Sequence, residues 1–154
     1  MILVTGCAGF IGSHLCETLL TKNYDILGID NINDYYDTNI KLDNLKILNK
    51  FEKFIFENGN LVDSDIIIRY KPHIIIHLAS LAGVRTSLEI PKDYATNNIL
   101  SQINILEQCK TYNIQKFIYA SSSSVYGLNA KVPFNETDII KFQNSPYASS
   151  KLCM

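Results

Sequence analysis

MILVTGCAGFIGSHLCETLL, residues 1–20, is the stretch from which the fold is read. Met1-Ile2-Leu3-Val4 is a short apolar run of the kind that forms a buried strand. Gly6, Gly9 and Gly12 follow as a glycine-rich turn. Ile11, Leu15 and Leu19 then recur every fourth residue, with Cys16 and Leu20 beside them, which predicts the apolar face of a helix. Strand, glycine turn and helix in one unit is an arrangement that binds the pyrophosphate of a dinucleotide. Gly6 permits the tight turn, Gly9 lets backbone approach phosphate, and Gly12 lets helix and strand pack closely. The free N–H groups at the helix start, backed by the helix dipole, face the anion. The competing reading is a tight turn without a ligand, and residues downstream of the turn decide between the two.

Working outward, Tyr24–Asp30 reads as a second strand ending in an acid. A carboxylate there is placed to accept hydrogen bonds from the adenosine ribose, and its charge disfavours the extra phosphate of NADP, so NAD is the expected cofactor. Asn31–Asp37 is a polar, tyrosine-containing loop. Residues 38–51 predict a helix with Leu42, Leu45 and Leu48 on one side. Phe54-Ile55-Phe56 is a third strand, closed by Asn58-Gly59-Asn60, and Asp63 is the expected N-cap of a helix running to Tyr70. Ile74–Ala79 is a β-branched run suited to a strand buried on both faces. Residues 91–113 predict a long helix with Ala95, Ile99, Ile103 and Leu106 inward, and Lys116–Ala120 predicts strand five. Strands alternate with helices throughout. The expected fold is therefore an α/β, Rossmann-type doubly wound parallel sheet of order 3-2-1-4-5, with its ligand at the switch between strands one and four.

Composition narrows the class. Among 154 residues, 47% are hydrophobic and 19% charged, with a formal net charge of -1. There is no basic block to suggest nucleic acid and no apolar run long enough to span a bilayer. Met1 already belongs to the first strand, which leaves no room for a signal peptide and predicts a cytoplasmic protein. Cys7, Cys16, Cys109 and Cys153 form no CxxC pair, and His14, His73 and His77 add no metal-ligand spacing, so no metal site is expected.

Three further features converge on the predicted crevice. Residues 79–87, ASLAGVRTS, read as a loop whose small residues let a cofactor lie on backbone; Arg85 is either a phosphate or carboxylate partner or a surface arginine. Ser121-Ser122-Ser123-Ser124-Val125-Tyr126-Gly127 follows strand five, where hydroxyls can hold a sugar oxygen or simply form a turn. Tyr147 and Lys151 lie four apart, on one helix face, with Ser145 as cap and Pro146 at the first position. A cation beside a phenol favours the phenolate, giving a general base near neutral pH.

The motif TGxxGFIG, Thr5 to Gly12, together with Asp30, the serine loop and YxxxK, resembles the extended short-chain dehydrogenase/reductases, the sugar-nucleotide epimerases and dehydratases, over the whole chain. The resemblance implies that Tyr147, Lys151 and Ser122 are catalytic. It implies a cofactor site at Gly6, Gly9, Phe10, Ile11, Gly12, Asp30, Asn31, Asn60, Leu61, Leu78, Ala79, Ser80 and Asn98, with Tyr147 and Lys151. Asn60 departs from the Asp more usual there. Arg85, Ser123 and Ser124 are candidate substrate contacts. Residues 30–48, 82–91 and 120–138 resemble the UDP-glucuronate 4-epimerase branch, with UDP-glucose 4-epimerases, UDP-glucuronate decarboxylases and dehydratases as neighbours. The implied chemistry is oxidation of a UDP-sugar at C4 to a 4-keto intermediate and re-reduction on the other face, with NAD regenerated. Family members run about twice this length and the full-length form is expected to be a homodimer. The chain is thus expected to be the N-terminal part of an NAD-binding Rossmann domain, truncated after strand five and the start of the catalytic helix, with the substrate domain absent. A non-catalytic NAD-binding remnant is the other expectation.

Overall fold

Ile2, Val4 and Leu3 point to opposite sides of a strand, because successive side chains alternate. In the computed structural model, which describes residues 1–128 and 131–154, this strand (β1, Ile2–Thr5) is fully buried at the centre of a five-stranded parallel sheet. Asn129 and Ala130, within the predicted 120–138 match, lie outside the described residues. The other strands are β2 (Ile26–Asp30), β3 (Phe54–Asn58), β4 (Ile74–His77) and β5 (Lys116–Tyr119), in the order β3-β2-β1-β4-β5. Leu3 aligns with Leu27 on one side and Ile75 on the other, so β1 is paired along both edges.

Helices cover both faces. α1 (Phe10–Thr21) and α2 (Thr38–Leu48) enclose Ile2, Val4, Cys16, Leu20, Ile26, Leu45 and Leu48. α3 (Ile66–Tyr70) contributes Ile66 and Ile67 to a second cluster with Leu3, Leu27, Ile29 and Ile75. After β4 come α4 (Val84–Glu89), α5 (Pro91–Tyr94), a π-helical segment (Ala95–Leu100) and α6 (Ser101–Thr111), whose Ile105 joins that second cluster. A 3₁₀ turn (Ser123–Tyr126) and α7 (Pro146–Cys153) complete the chain. All four cysteines are free; burial pushes the Cys7 thiol far above its usual range and the Cys16 thiol to about 12.

The elements follow the expected order, but several faces differ. In α1 the buried residues are Gly12, Ser13, Cys16 and Leu20, while Ile11 is exposed. Gly12 must face the turn, and this rotates Ile11 away from the sheet. In α2 the inward residues are Lys41, Leu45 and Leu48; Leu42 faces solvent. Along residues 91–111 the buried side chains are Tyr94, Asn98, Ser101, Gln102, Ile105 and Gln108, whereas Ala95, Ile103 and Leu106 are exposed. Hydropathy selects the wrong face because the polar inward residues have backbone partners: Gln108 Nε2 donates to Ser64 O at 2.6 Å and its Oε1 accepts from Ile67 N at 3.2 Å. The α3 helix begins at Ile66, with Ser64 Oγ rather than Asp63 accepting from its first N–H. Ile74 and Ile76 of β4 are only half-buried, and β5 leaves Ile118 exposed. Residues 84–87 of the expected 79–87 loop are helical, as the start of α4.

Gly6 turns with φ +69°, a left-handed conformation that favours glycine. A Cβ on Gly12 would lie 2.1 Å from the Gly6 carbonyl oxygen. Gly12→Ala should therefore lower stability by about 3 kcal/mol, the upper range for overpacking a close contact. Urea unfolding followed by far-UV circular dichroism checks this; an unchanged midpoint would mean that the α1–β1 contact yields to a methyl group without cost.

Candidate functional site

The carboxyl ends of β1, β2 and β4 open into a cavity of about 380 Å³. Its floor begins at the glycine turn, where Gly6, Gly9 and Gly12 line it with the exposed side chains of Phe10 and Ile11. Asp30, at the end of β2, lines it too, and its Oδ2 accepts from Ala8 N at 3.2 Å while its Oδ1 accepts from Ile32 N at 3.0 Å. The acid is thus locked to the turn. Asn31, Asn60 and Leu61 extend the same end, and Leu78, Ala79 and Ser80 form the wall beyond β4. Asn60 Oδ1 already accepts from Val62 N at 3.1 Å, so its expected cofactor contact has only the remaining lone pair.

The switch point itself is pinned by one hydroxyl. Thr5 Oγ1 accepts from Leu78 N at 3.1 Å and from Ala79 N at 3.0 Å, and lies 2.8 Å from His77 Nδ1. With both lone pairs occupied, the hydroxyl donates its own proton to Nδ1. The imidazole is then neutral with its proton on Nε2, an atom with no partner in the buried site. Burial, with a smaller contribution from the Lys151 charge, holds the His77 pKa down to about 4.

Tyr147 and Lys151 both reach the cavity from α7. The helix starts as its sequence predicts: Ser145 Oγ accepts from Ala148 N at 3.0 Å and Pro146 occupies the first turn. Lys151 is buried, and Nζ donates to Ala120 O at 2.9 Å, which ties the helix to the end of β5. Burial lowers its pKa to about 8. Tyr147 is half-buried and packs edge-on against Tyr94, ring centres 6.1 Å apart.

Other expected contacts lie elsewhere. Asn98 does not line the cavity: its Oδ1 accepts from Leu81 N at 2.7 Å, and its Nδ2 donates to Leu81 O at 3.0 Å and Ser150 Oγ at 2.9 Å. It clamps the loop after β4 to α7 from behind. Arg85 is exposed on α4, outside the lining. Ser122, Ser123 and Ser124 also fall outside it, and Ser121 lines the cavity instead. Ser122 Oγ accepts from Ser124 N at 3.2 Å, capping the 3₁₀ turn; this leaves the hydroxyl proton for donation.

The residues that sequence reasoning missed come from the loop after β2 and from α2. Asn33, Tyr35, Tyr36 and Lys41 all line the cavity. Tyr35 reaches across it, donating to Ala82 O and lying 2.9 Å from the Tyr94 hydroxyl. Burial, then the nearby Asp30, pushes the Tyr36 phenol up. Lys41 was detectable, since Leu45 and Leu48 at helical spacing place it on the same face. Among the described residues no cluster of metal-ligating side chains occurs and no helix is long and apolar enough to cross a membrane.

A glycine turn, a β2 acid and a Tyr–Lys pair sharing one crevice define a dinucleotide site of the extended short-chain dehydrogenase/reductase type. The chain belongs to the GDP-mannose 4,6 dehydratase family, whose model matches residues 3–154. It is 45% identical to Protein CapI of Staphylococcus aureus, over 97% of this chain and 46% of that protein. It is 43% identical to UDP-glucuronate 4-epimerase 2 of Arabidopsis thaliana, over 97% of this chain and 36% of the relative. The solved UDP-glucuronic acid 4-epimerase of Bacillus cereus, in complex with UDP-glucuronic acid and NAD, superposes with a TM-score of 0.90 at 37% identity, over 99% of this chain and 49% of that one. The chain thus spans less than half the length of these relatives.

The neutral, buried His77 makes stability depend on pH. Its folded pKa of about 4 lies below the usual 6.5, so the unfolded chain binds the proton first as pH falls. The contribution is complete above pH 6.5 and is lost progressively between 6.5 and about 4, by on the order of 3 kcal/mol. Urea midpoints across this range should fall less steeply for His77→Gln than for the wild type; parallel slopes would refute the assignment.

Proposed function

We propose that this chain is the NAD-binding portion of a sugar-nucleotide 4-epimerase acting on UDP-glucuronate. The observation that carries the reading is the buried Lys151, fixed on Ala120 O and set one helical turn from Tyr147 in the same cavity as the glycine turn and Asp30. Its support from relatives is the likeness to the UDP-glucuronate 4-epimerases of Arabidopsis thaliana and Bacillus cereus.

The residues fit the cofactor. Gly6 and Gly12 leave room for backbone where any Cβ would collide, and the first residues of α1, Phe10 to Gly12, line the cavity. Asp30 holds the adenosine ribose, and Lys151 holds the nicotinamide ribose. NAD, when bound, would supply the hydride acceptor and donor for sugar C4. Tyr147 takes the proton of the C4 hydroxyl and later gives it back. Lys151 sets its ammonium one helical turn from Tyr147 in the same cavity, and Ser122 donates a hydrogen bond to the same sugar oxygen. Arg85, Ser123 and Ser124 are assigned to the substrate side. The relatives' greater length supports placing most of the UDP-sugar pocket in residues beyond this chain, with residues 1–154 as the N-terminal part of the cofactor domain. The exposed Leu100, Ile103 and Leu106 support a homodimer of the complete protein, and the buried thiols Cys7 and Cys16 suit a reducing, cytoplasmic compartment.

A second reading, an NAD-binding unit without turnover of its own, draws on Arg85, Ser122, Ser123 and Ser124 lying outside the cavity that Tyr147 and Lys151 line. The 154-residue chain is expected to show no detectable UDP-glucuronate turnover; clear turnover would show that the additional length is dispensable. In the complete enzyme, Tyr147→Phe should lower kcat by roughly 10³-fold or more, on the scale of a lost general base, with NAD affinity within about threefold of the wild type. Near-normal kcat would sink the base assignment.

The ammonium of Lys151 gives a pH test. With its pKa at about 8, its charge is present below pH 8 and is lost as pH rises through that value. NAD affinity, measured by isothermal titration calorimetry, should weaken above pH 8 in the wild type and stay flat in Lys151→Met. The same dependence in both proteins would exclude Lys151 as its source.

A further inference from the structure

Lys41 is a buried cation at the cofactor cavity, paired with the buried carboxylate of Asp30. It occupies the inward position of α2 beside Leu45 and Leu48, where an apolar side chain would pack without desolvating an ammonium. Its Nζ lies 3.3 Å from Asp30 Oδ1 and 2.8 Å from Asn33 Oδ1, and 5.1 Å over the Tyr36 ring. The Lys41 and Asp30 side chains are each only 6% exposed.

A count of donors and acceptors shows what this pair leaves open. A carboxylate offers about four lone-pair sites. Ala8 N, Ile32 N and Lys41 Nζ take three of those of Asp30. A ribose diol that donated both hydroxyl protons to Asp30 would need two, so one hydroxyl requires another partner. An ammonium has three donors; Asp30 and Asn33 take two, which leaves one on a side chain that lines the cavity.

We propose that Lys41 is the second contact for the adenosine ribose and the residue that sets the choice between NAD and NADP. One hydroxyl donates to Asp30 and the other accepts from Lys41. Asp30 then excludes a 2′-phosphate chiefly by holding Lys41: the pair is neutral together, and the ammonium is a phosphate site kept engaged by the carboxylate. This inference rests on the reading of the cavity as a dinucleotide site.

The test is the binding of NAD and NADP to the 154-residue chain by isothermal titration calorimetry, for the wild type, Lys41→Met, Asp30→Asn and the double variant. The wild type should prefer NAD. Lys41→Met should weaken NAD roughly tenfold, the scale of one charge-assisted hydrogen bond, without improving NADP. Asp30→Asn, which keeps the shape and removes the charge, should weaken NAD and tighten NADP by roughly tenfold, because Lys41 is released toward the phosphate. The double variant should lose that gain. If Lys41→Met lacks a cooperative unfolding transition, Lys41→Arg and Lys41→Gln replace it, alone and with Asp30→Asn: Arg should keep the NADP gain and Gln abolish it. A wild type that binds no NAD overturns the cofactor reading and this inference together. A wild type that binds NAD, with unchanged affinity in Lys41→Met or an NADP gain that survives loss of Lys41, overturns the Lys41 assignment alone.

Discussion

The contact between the Gly6 carbonyl and the first turn of α1 is the constraint on which the rest of the molecule depends. The Gly12 backbone approaches so closely that a methyl group would sit 2.1 Å from the Gly6 oxygen. This draws the helix N-terminus over the end of the central strand. It also fixes the rotation of α1, sending Cys16 and Leu20 into the core while Phe10 and Ile11 face the cavity. The first turn of α1 thereby lies along the cavity, the position in which helix N–H groups can meet an anion.

Around this contact, buried polar side chains act as struts. Thr5 uses one hydroxyl to hold β1 against His77 and the two residues after it. Asn98 joins the loop after β4 to α7, and Lys151 joins α7 to the end of β5. Asn44 Nδ2 donates to Ala8 O at 2.9 Å, fastening α2 to the glycine turn. Each strut satisfies backbone groups that an apolar residue would leave bare, so each contributes to position more than to net stability. The Tyr–Lys pair meets the cofactor cavity because these links set where α7 lies.

Much of this was legible in the chain. The strand order follows from the handedness of parallel crossovers, and the glycine turn, Asp30, and Tyr147 with Lys151 on a Ser145-capped helix follow from local rules about spacing and capping. The inward face of residues 91–111 did not, because Asn98, Gln102 and Gln108 are buried through partners far away in sequence, which hydropathy cannot register. Lys41 shares the helical register of Leu45 and Leu48, but a charged residue reads as solvent-facing until Asp30 is seen beside it. Ser122 reads as a cavity hydroxyl, yet its oxygen caps the turn that begins one residue later.

The sequence by itself determined the order of the strands and the placing of Gly6–Gly12, Asp30 and Tyr147–Lys151 at strand and helix ends, since turn, capping and periodicity rules act over a few residues. Only the tertiary structure decided which groups share the cavity and what each faces. Tyr35 lies 47 residues from Ala82, and Lys151 lies 31 residues from Ala120. Hydrogen bonds over such separations form only after the sheet has aligned the strand ends, and no local pattern encodes them.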